Sequence, residues 1–179
     1  MQKISKNLPL KYQGYAIVMQ EVPDEISLAF NIAGCTHKCE GCHSKNLWEY
    51  EGNYLCNDFL NILNANKDFI SCVCFLGGDQ NIEELYELCK ISKQYNLKTC
   101  IYSGFNSIKP FEDIIFDSLL DYLKIGPYIK EYGGLGTITT NQRMYKILKS
   151  DVINNETKCL MIDITTNFIR MDNIAFTKM

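Results

Sequence analysis

Three times in this 179-residue chain an apolar run of one strand's length stops abruptly at glycine. Ile70 to Leu76 ends at Gly77-Gly78-Asp79, Leu97 to Tyr102 at Ser103-Gly104, and Tyr122 to Ile125 at Gly126-Pro127. Ile70 to Leu76, nearly continuous, suits a strand covered on both faces in a parallel sheet, since half-exposed strands alternate apolar with polar residues, and the other two repeat the strand signal. Helical patterns lie between them. Asn81 is placed as an N-cap, with Glu84 in capping-box position, ahead of a stripe of Ile82, Leu85, Leu88 and Cys89 that carries the helix to about Tyr95. Phe111, Ile114, Ile115 and Leu119 mark a second helix over Phe111 to Leu120, behind Pro110. Upstream, Tyr15 to Met19 and Ile26 to Ile32 read as strands on either side of the Pro23-Asp24 turn. Leu55, Phe59, Ile62 and Leu63 recur at helical spacing around a helix expected over Asn57 to Ala65.

Strand, glycine turn and helix in alternation point to an α/β protein with right-handed crossovers and a mainly parallel sheet. A closed eight-unit barrel takes about 250 residues, so the expectation here is an incomplete, TIM-like barrel of about five to six parallel β/α units. Such a barrel is open on one side, and residues 1–179 form one domain. Past Gly126 the pattern is less regular. Residues 132–136 read as a glycine-rich loop, Thr139 to Leu148 fits helix or strand, and Leu160 to Ile164 reads as a last strand. In sheets of this kind ligands bind beyond the carboxyl ends of the strands, where the glycine breaks fall.

The strand Ile26 to Ile32 delivers the chain to that same edge, into Gly34-Cys35-Thr36-His37-Lys38-Cys39-Glu40-Gly41-Cys42-His43. This stretch holds three of the nine cysteines and both histidines. Thiolates at Cys35, Cys39 and Cys42 suit zinc or an iron-sulfur cluster. Zinc would require a fourth ligand from His37 or His43, because no second cysteine pair of the usual spacing follows. Cys72 and Cys74 are one residue apart in an apolar run, where cysteine behaves as a small hydrophobe, as it does at Cys100. Cys56, Cys89 and Cys159 carry no motif. A 4Fe-4S cluster on three cysteines would keep one iron without a protein ligand, free to bind a small chelating molecule and pass it an electron.

With 18 basic against 21 acidic side chains the chain offers no broad electrostatic footprint for nucleic acid or an anionic membrane surface. No apolar run approaches the roughly 18 residues of a membrane span, and Met1 to Gln20 lacks the core of an export signal. A soluble, cytoplasmic protein with reduced thiols is expected.

The CxxxCxxC spacing after an early strand, followed by Gly77-Gly78-Asp79 after the next, resembles the radical S-adenosylmethionine (SAM) superfamily. The resemblance sharpens with residues 31–34, Gly41-Cys42-His43, Leu47-Trp48-Glu49, Tyr102-Ser103-Gly104, Gly126-Pro127-Tyr128-Ile129 and Thr140-Asn141-Gln142-Arg143. Together these resemble the activating-protein family of the anaerobic ribonucleoside-triphosphate reductase. That resemblance implies a 4Fe-4S cluster on Cys35, Cys39 and Cys42, with SAM contacts from Gly41, Cys42 and His43 and from Gly77, Gly78 and Asp79. Ser103 is read either as a contact of the SAM ribose or as a plain strand-end turn. The implied reaction is one-electron cleavage of SAM to methionine and a 5'-deoxyadenosyl radical, which takes a hydrogen atom from a glycine of the reductase large subunit. The chemistry belongs to the cofactor, so no side-chain acid or base is required. The implied partners are that large subunit and an external one-electron donor such as a flavodoxin- or thioredoxin-type system.

Gln80 stands where many members carry proline, and Ile125 where many carry aspartate. The alternatives are activation of another glycyl-radical enzyme, a small-molecule radical SAM enzyme, and a non-catalytic zinc or electron-transfer module. His37 and His43 are expected to be loop residues near the cluster rather than iron ligands, and Trp48 a buried anchor. Lys124, Lys130 and Arg143 stand near turns, either solvated or steering the carboxylate of SAM or the partner. Gly133 to Gly136 is expected to border the opening that admits a protein substrate.

Overall fold

The computed structural model describes residues 8–153 and 156–168. The first seven residues of the stretch read for an export signal, and both ends of the expected domain, lie outside the described residues. Eight strands form one sheet: β1 (Lys11–Val18), β2 (Ser27–Ala33), β3 (Asn53–Tyr54), β4 (Cys72–Leu76), β5 (Lys98–Tyr102), β6 (Tyr122–Ile125), β7 (Arg143–Ile153) and β8 (Glu156–Asp163). Their order is β3-β1-β2-β4-β5-β6-β7-β8. β2, β4, β5 and β6 are parallel neighbours. The connections between them carry α1 (Leu55–Asn66), α2 (Ile82–Gln94) and α3 (Glu112–Phe116).

The expected incomplete barrel of five to six parallel β/α units does not form. The sheet is mixed, and the described residues contain only three short α-helices. β1 returns antiparallel onto β2 through a turn in which Asp24 takes a left-handed conformation, and β3 adds two residues beyond β1. β7 and β8 add an antiparallel hairpin to β6. The apolar runs mark strands correctly but do not encode direction. A crossover bearing a helix permits parallel neighbours, whereas the short or helix-free connections at the two ends of this sheet produce antiparallel ones. The helix read over Phe111 to Leu120 is likewise shorter, because the backbone turns at Ser118, whose φ is 58°.

Alternation along the strands divides the sheet into two unlike faces. On one, Phe30, Phe75, Ile101 and Leu123 stand in register and are covered by Phe59 and Leu63 of α1, Leu85 and Leu88 of α2, and Ile114 of α3. The Phe30, Phe59 and Phe75 rings pack with centroids no more than 6.1 Å apart. On the other face Ala29, Cys72, Cys74, Cys100, Tyr122 and Met144 pack with Val22, and loops rather than helices cover them. Further along this second face Asn31, Leu76, Tyr102 and Lys124 form a row at the carboxyl ends of the parallel strands.

The opposite end of the sheet is tied by a buried carboxylate. Glu25, in the β1–β2 turn, accepts hydrogen bonds from Ser71 Oγ at 2.7 Å, from Tyr122 Oη at 2.8 Å and from Lys98 Nζ. Burial works to raise its pKa, but the bonds from Lys98, Ser71 and Tyr122 outweigh it and hold the carboxyl below its ordinary 4.5. A carboxylate depressed in this way stabilises the fold above the unfolded-state pKa, and the contribution is lost as pH falls through the folded value. Glu25→Ala should therefore lower the unfolding free energy at neutral pH by about 2 kcal/mol. The gap between variant and wild type should close as the pH drops below 4.5, as urea unfolding at a series of pH values would measure.

Candidate functional site

The cysteine loop leaves β2 under tight backbone control. The amides of Gly34 and Cys35 both donate to the Leu47 carbonyl at 2.9 Å, pinning the root of the loop to the 3-10 turn Lys45–Trp48. A bond from the Cys42 amide to the Cys39 carbonyl, at 3.1 Å, folds the far end back. Cys35, Cys39 and Cys42 are half-buried free thiols, and all three line one cavity of about 510 Å³. Its other walls are the carboxyl ends of β4, β5 and β6 with the glycine turns that follow them.

The remaining cysteines are set apart. Cys72, Cys74, Cys89 and Cys100 are fully buried in the sheet and under α2. Burial pushes the Cys89 thiol up to about 12, and Cys72 and Cys100 are raised well above the ordinary value, again chiefly by burial. Cys56 is exposed on α1 and Cys159 half-buried on β8, and neither lines the cavity.

Gly77 and Gly78 both have left-handed φ, 112° and 107°, and a Cβ on Gly78 would come within 2.9 Å of the Leu85 methyl carbons. Only glycine makes this turn while α2 packs beneath it. The turn delivers Asp79 to the cavity with a side chain 6% exposed. Its Oδ2 lies 2.6 Å from His37 Nε2 and accepts the Gly104 amide at 2.8 Å, whereas its Oδ1 is buried without a hydrogen-bond partner. Gln80 is buried beside it and donates to the Ala33 carbonyl at 2.8 Å, a link that proline could not supply.

The same cavity is lined by a buried cation. Lys124, 7% exposed, donates from Nζ to the carbonyls of Gly126 at 2.6 Å and Ser103 at 3.3 Å. Burial pulls its pKa down to about 8, opposed by the nearby Asp79, Cys39, Cys35 and Cys42. The Gly-Pro turn beyond it is braced by the Asn-Gln pair, since Gln142 Nε2 donates to the Gly126 carbonyl at 3.3 Å and Asn141 Nδ2 to that of Pro127 at 2.9 Å.

Of the residues singled out by sequence, Cys35, Cys39, Cys42, His43, Gly77, Gly78, Asp79 and Ser103 meet at this cavity. Gly41 is not among its lining residues: a Cβ there would meet the Tyr128 ring at 3.3 Å. Ser103 Oγ accepts the Phe105 amide at 2.9 Å, as a strand-end turn does. Trp48 is a half-buried cavity wall whose indole N–H has no partner among the described residues. Gly134 and Leu135 border the cavity, and Lys130 and Arg143 are exposed. Sequence reasoning gave Lys124 too little weight. Its signal was a lone lysine in an otherwise apolar strand, on the same face as Tyr122 and one pleat nearer the carboxyl end. The His37–Asp79 pair had no sequence signal.

Among the described residues no three His, Cys, Asp or Glu side chains are grouped closely enough to hold a metal ion as they stand. The chemistry of the three thiols fits: an all-sulfur donor set lining one cavity. No helix among the described residues is long and apolar enough to cross a membrane. A family model described as a 4Fe-4S single cluster domain matches residues 26–132, which include all three loop cysteines. No curated protein and no solved structure matches the chain significantly.

The contrast among thiols is open to measurement. Brief alkylation of the native metal-free protein with iodoacetamide should label Cys35, Cys39, Cys42 and Cys56, leaving Cys72, Cys74, Cys89 and Cys100 unmodified until the chain is unfolded. Peptide mass spectrometry would read the difference, and comparable labelling of both groups would contradict this burial pattern.

Proposed function

Since the chain belongs to the 4Fe-4S single cluster domain family, we propose that Cys35, Cys39 and Cys42 hold that cluster and that the cavity beside them takes SAM. On this reading the protein is a radical SAM activating enzyme that installs a glycyl radical on the anaerobic ribonucleoside-triphosphate reductase.

One observation carries the reading: the thiol-lined cavity is lined by both a buried carboxylate with a free oxygen and a buried ammonium that do not pair with each other. Buried charges are costly unless matched. The amino and carboxylate groups at the methionyl end of SAM match both, with Asp79 Oδ1 accepting from the amino group and Lys124 Nζ donating to the carboxylate. The three thiols line the same cavity and would hold the cluster there. A cluster held by these residues would supply the single electron that cleaves the SAM sulfonium to methionine and a 5'-deoxyadenosyl radical. The chain's own residues hold and orient: the Gly77-Gly78 turn lines the cavity together with Gln20, Glu21, Leu135 and Phe168.

The choice of reductase as substrate rests on the resemblance in the Gly126-Pro127-Tyr128-Ile129 and Thr140-Asn141-Gln142-Arg143 segments. Their mutual hydrogen bonds support treating them as one wall. The electron donor and the reductase large subunit are partners on the same reading.

Reconstituted without oxygen and reduced by dithionite, the protein should convert SAM to 5'-deoxyadenosine and methionine. With the reductase large subunit present it should also produce a glycyl-radical EPR signal. Cys39→Ala should abolish both, and a wild-type chain that binds only zinc and forms no 5'-deoxyadenosine would refute the proposal. Lys124→Met should weaken SAM binding about tenfold, the worth of one hydrogen bond to a charged group, without changing iron content.

A further inference from the structure

His37 is the side chain that joins the cysteine loop to the glycine turn. It lies between Cys35 and Cys39 in sequence, yet it reaches Asp79 after β4 and Gly104 and Phe105 after β5. Nε2 is 2.6 Å from Asp79 Oδ2, and the ring meets Phe105 edge-on with centroids 5.2 Å apart. Gly104 lies so close that a Cβ there would stand 2.4 Å from a ring carbon. The slot is thus built around the imidazole, and the side chain is only 22% exposed.

An ionised carboxylate only accepts hydrogen bonds, so the hydrogen in this contact belongs to His37 Nε2. The Gly104 amide donates to the same oxygen at 2.8 Å. Both donors engage Oδ2 and neither engages Oδ1, which is left buried and without a partner at the cavity. A carboxylate held at neither oxygen rotates within a broad two-fold well. Two donors on one oxygen define the plane of the group and therefore where the other oxygen lies.

We propose that His37 is a positioning residue, which fixes the Asp79 carboxylate so that Oδ1 is presented to the amino group of a zwitterionic ligand bound beside the three thiols. The inference rests on the reading of the cavity as a SAM site. It adds that the loop carrying the cluster ligands also sets the ligand's amino acceptor, through one hydrogen bond between residues 42 positions apart. The side-chain amide of Gln80, donating to the Ala33 carbonyl, holds the turn against the root of the same loop.

The test uses cluster-loaded protein and two readouts, iron and sulfide content and equilibrium dialysis of SAM. His37→Leu keeps the bulk and removes the donor; it should retain the cluster and bind SAM about tenfold more weakly. His37→Gln, whose amide nitrogen has similar reach, should recover most of the affinity. In an Asp79→Asn background, adding His37→Leu should cost little more, because the group it acts through is already altered. If His37→Leu is insoluble, His37→Asn, whose amide falls short of Asp79, replaces it. Unchanged SAM affinity in His37→Leu would overturn the proposal. So would an equal loss with and without Asp79→Asn, or loss of iron, which would assign His37 to the metal centre. Failure of cluster-loaded wild type to bind SAM would sink both the cavity reading and this inference. Wild-type binding with an equally competent His37→Leu would sink the inference alone.

Discussion

The site depends on the parallel register of β2, β4, β5 and β6. Because Asn31, Leu76, Tyr102 and Lys124 are aligned across these strands, the chain leaves each strand at the same edge of the sheet. The ladder continues past the strand ends: the Gly77 amide donates to the Tyr102 carbonyl, that of Ser103 to Lys124 and that of Gly126 to Phe105. The turns are therefore placed as firmly as the strands. A slip of one residue in β6 would turn Lys124 to the helix-covered face, where Leu123 packs with Phe30 and Ile101, and would leave an ammonium among hydrocarbon. Hydrophobic packing on one face thus specifies where the polar groups stand on the other.

Those polar groups are few and mutually dependent. Asp79 and Lys124 are both nearly inaccessible to water, and neither exhausts its hydrogen-bonding capacity on the protein: Asp79 keeps one free oxygen, and Lys124 makes two bonds where an ammonium offers three donors. A structural ion pair would bring the two together. Here each is instead held by other partners, Asp79 by His37 and the Gly104 amide and Lys124 by the carbonyls of Ser103 and Gly126. Keeping opposite buried charges apart on rigid supports is the arrangement expected of a site that waits for a ligand bearing both.

Much of this was legible in the residues. The strands over Ile70 to Leu76, Leu97 to Tyr102 and Tyr122 to Ile125 declare themselves because they are buried on both faces, and the Asn81 cap because its side chain accepts the Glu84 amide at 3.0 Å. The other half of the capping box does not close: Glu84 accepts instead from the Leu10 amide, a contact 74 positions away that no local pattern encodes. The barrel was misread for a similar reason. β1, β7 and β8 are antiparallel strands toward the ends of the sheet, and nothing in their periodicity states which neighbour they pair with or in which direction. At the site, the thiol spacing and the glycine turn were visible, whereas the bond between His37 and Asp79 and the burial of Lys124 arise only when separate loops meet.

The central claim is that SAM binds with its amino end between Asp79 and the three-thiol centre. The most direct measurement is electron-nuclear double resonance on the reduced, cluster-loaded protein with SAM carrying nitrogen-15 in its amino group. The account predicts a nitrogen-15 coupling to the cluster spin that disappears in Cys39→Ala and weakens in Asp79→Asn. Bound SAM with no such coupling in the wild-type protein would contradict it.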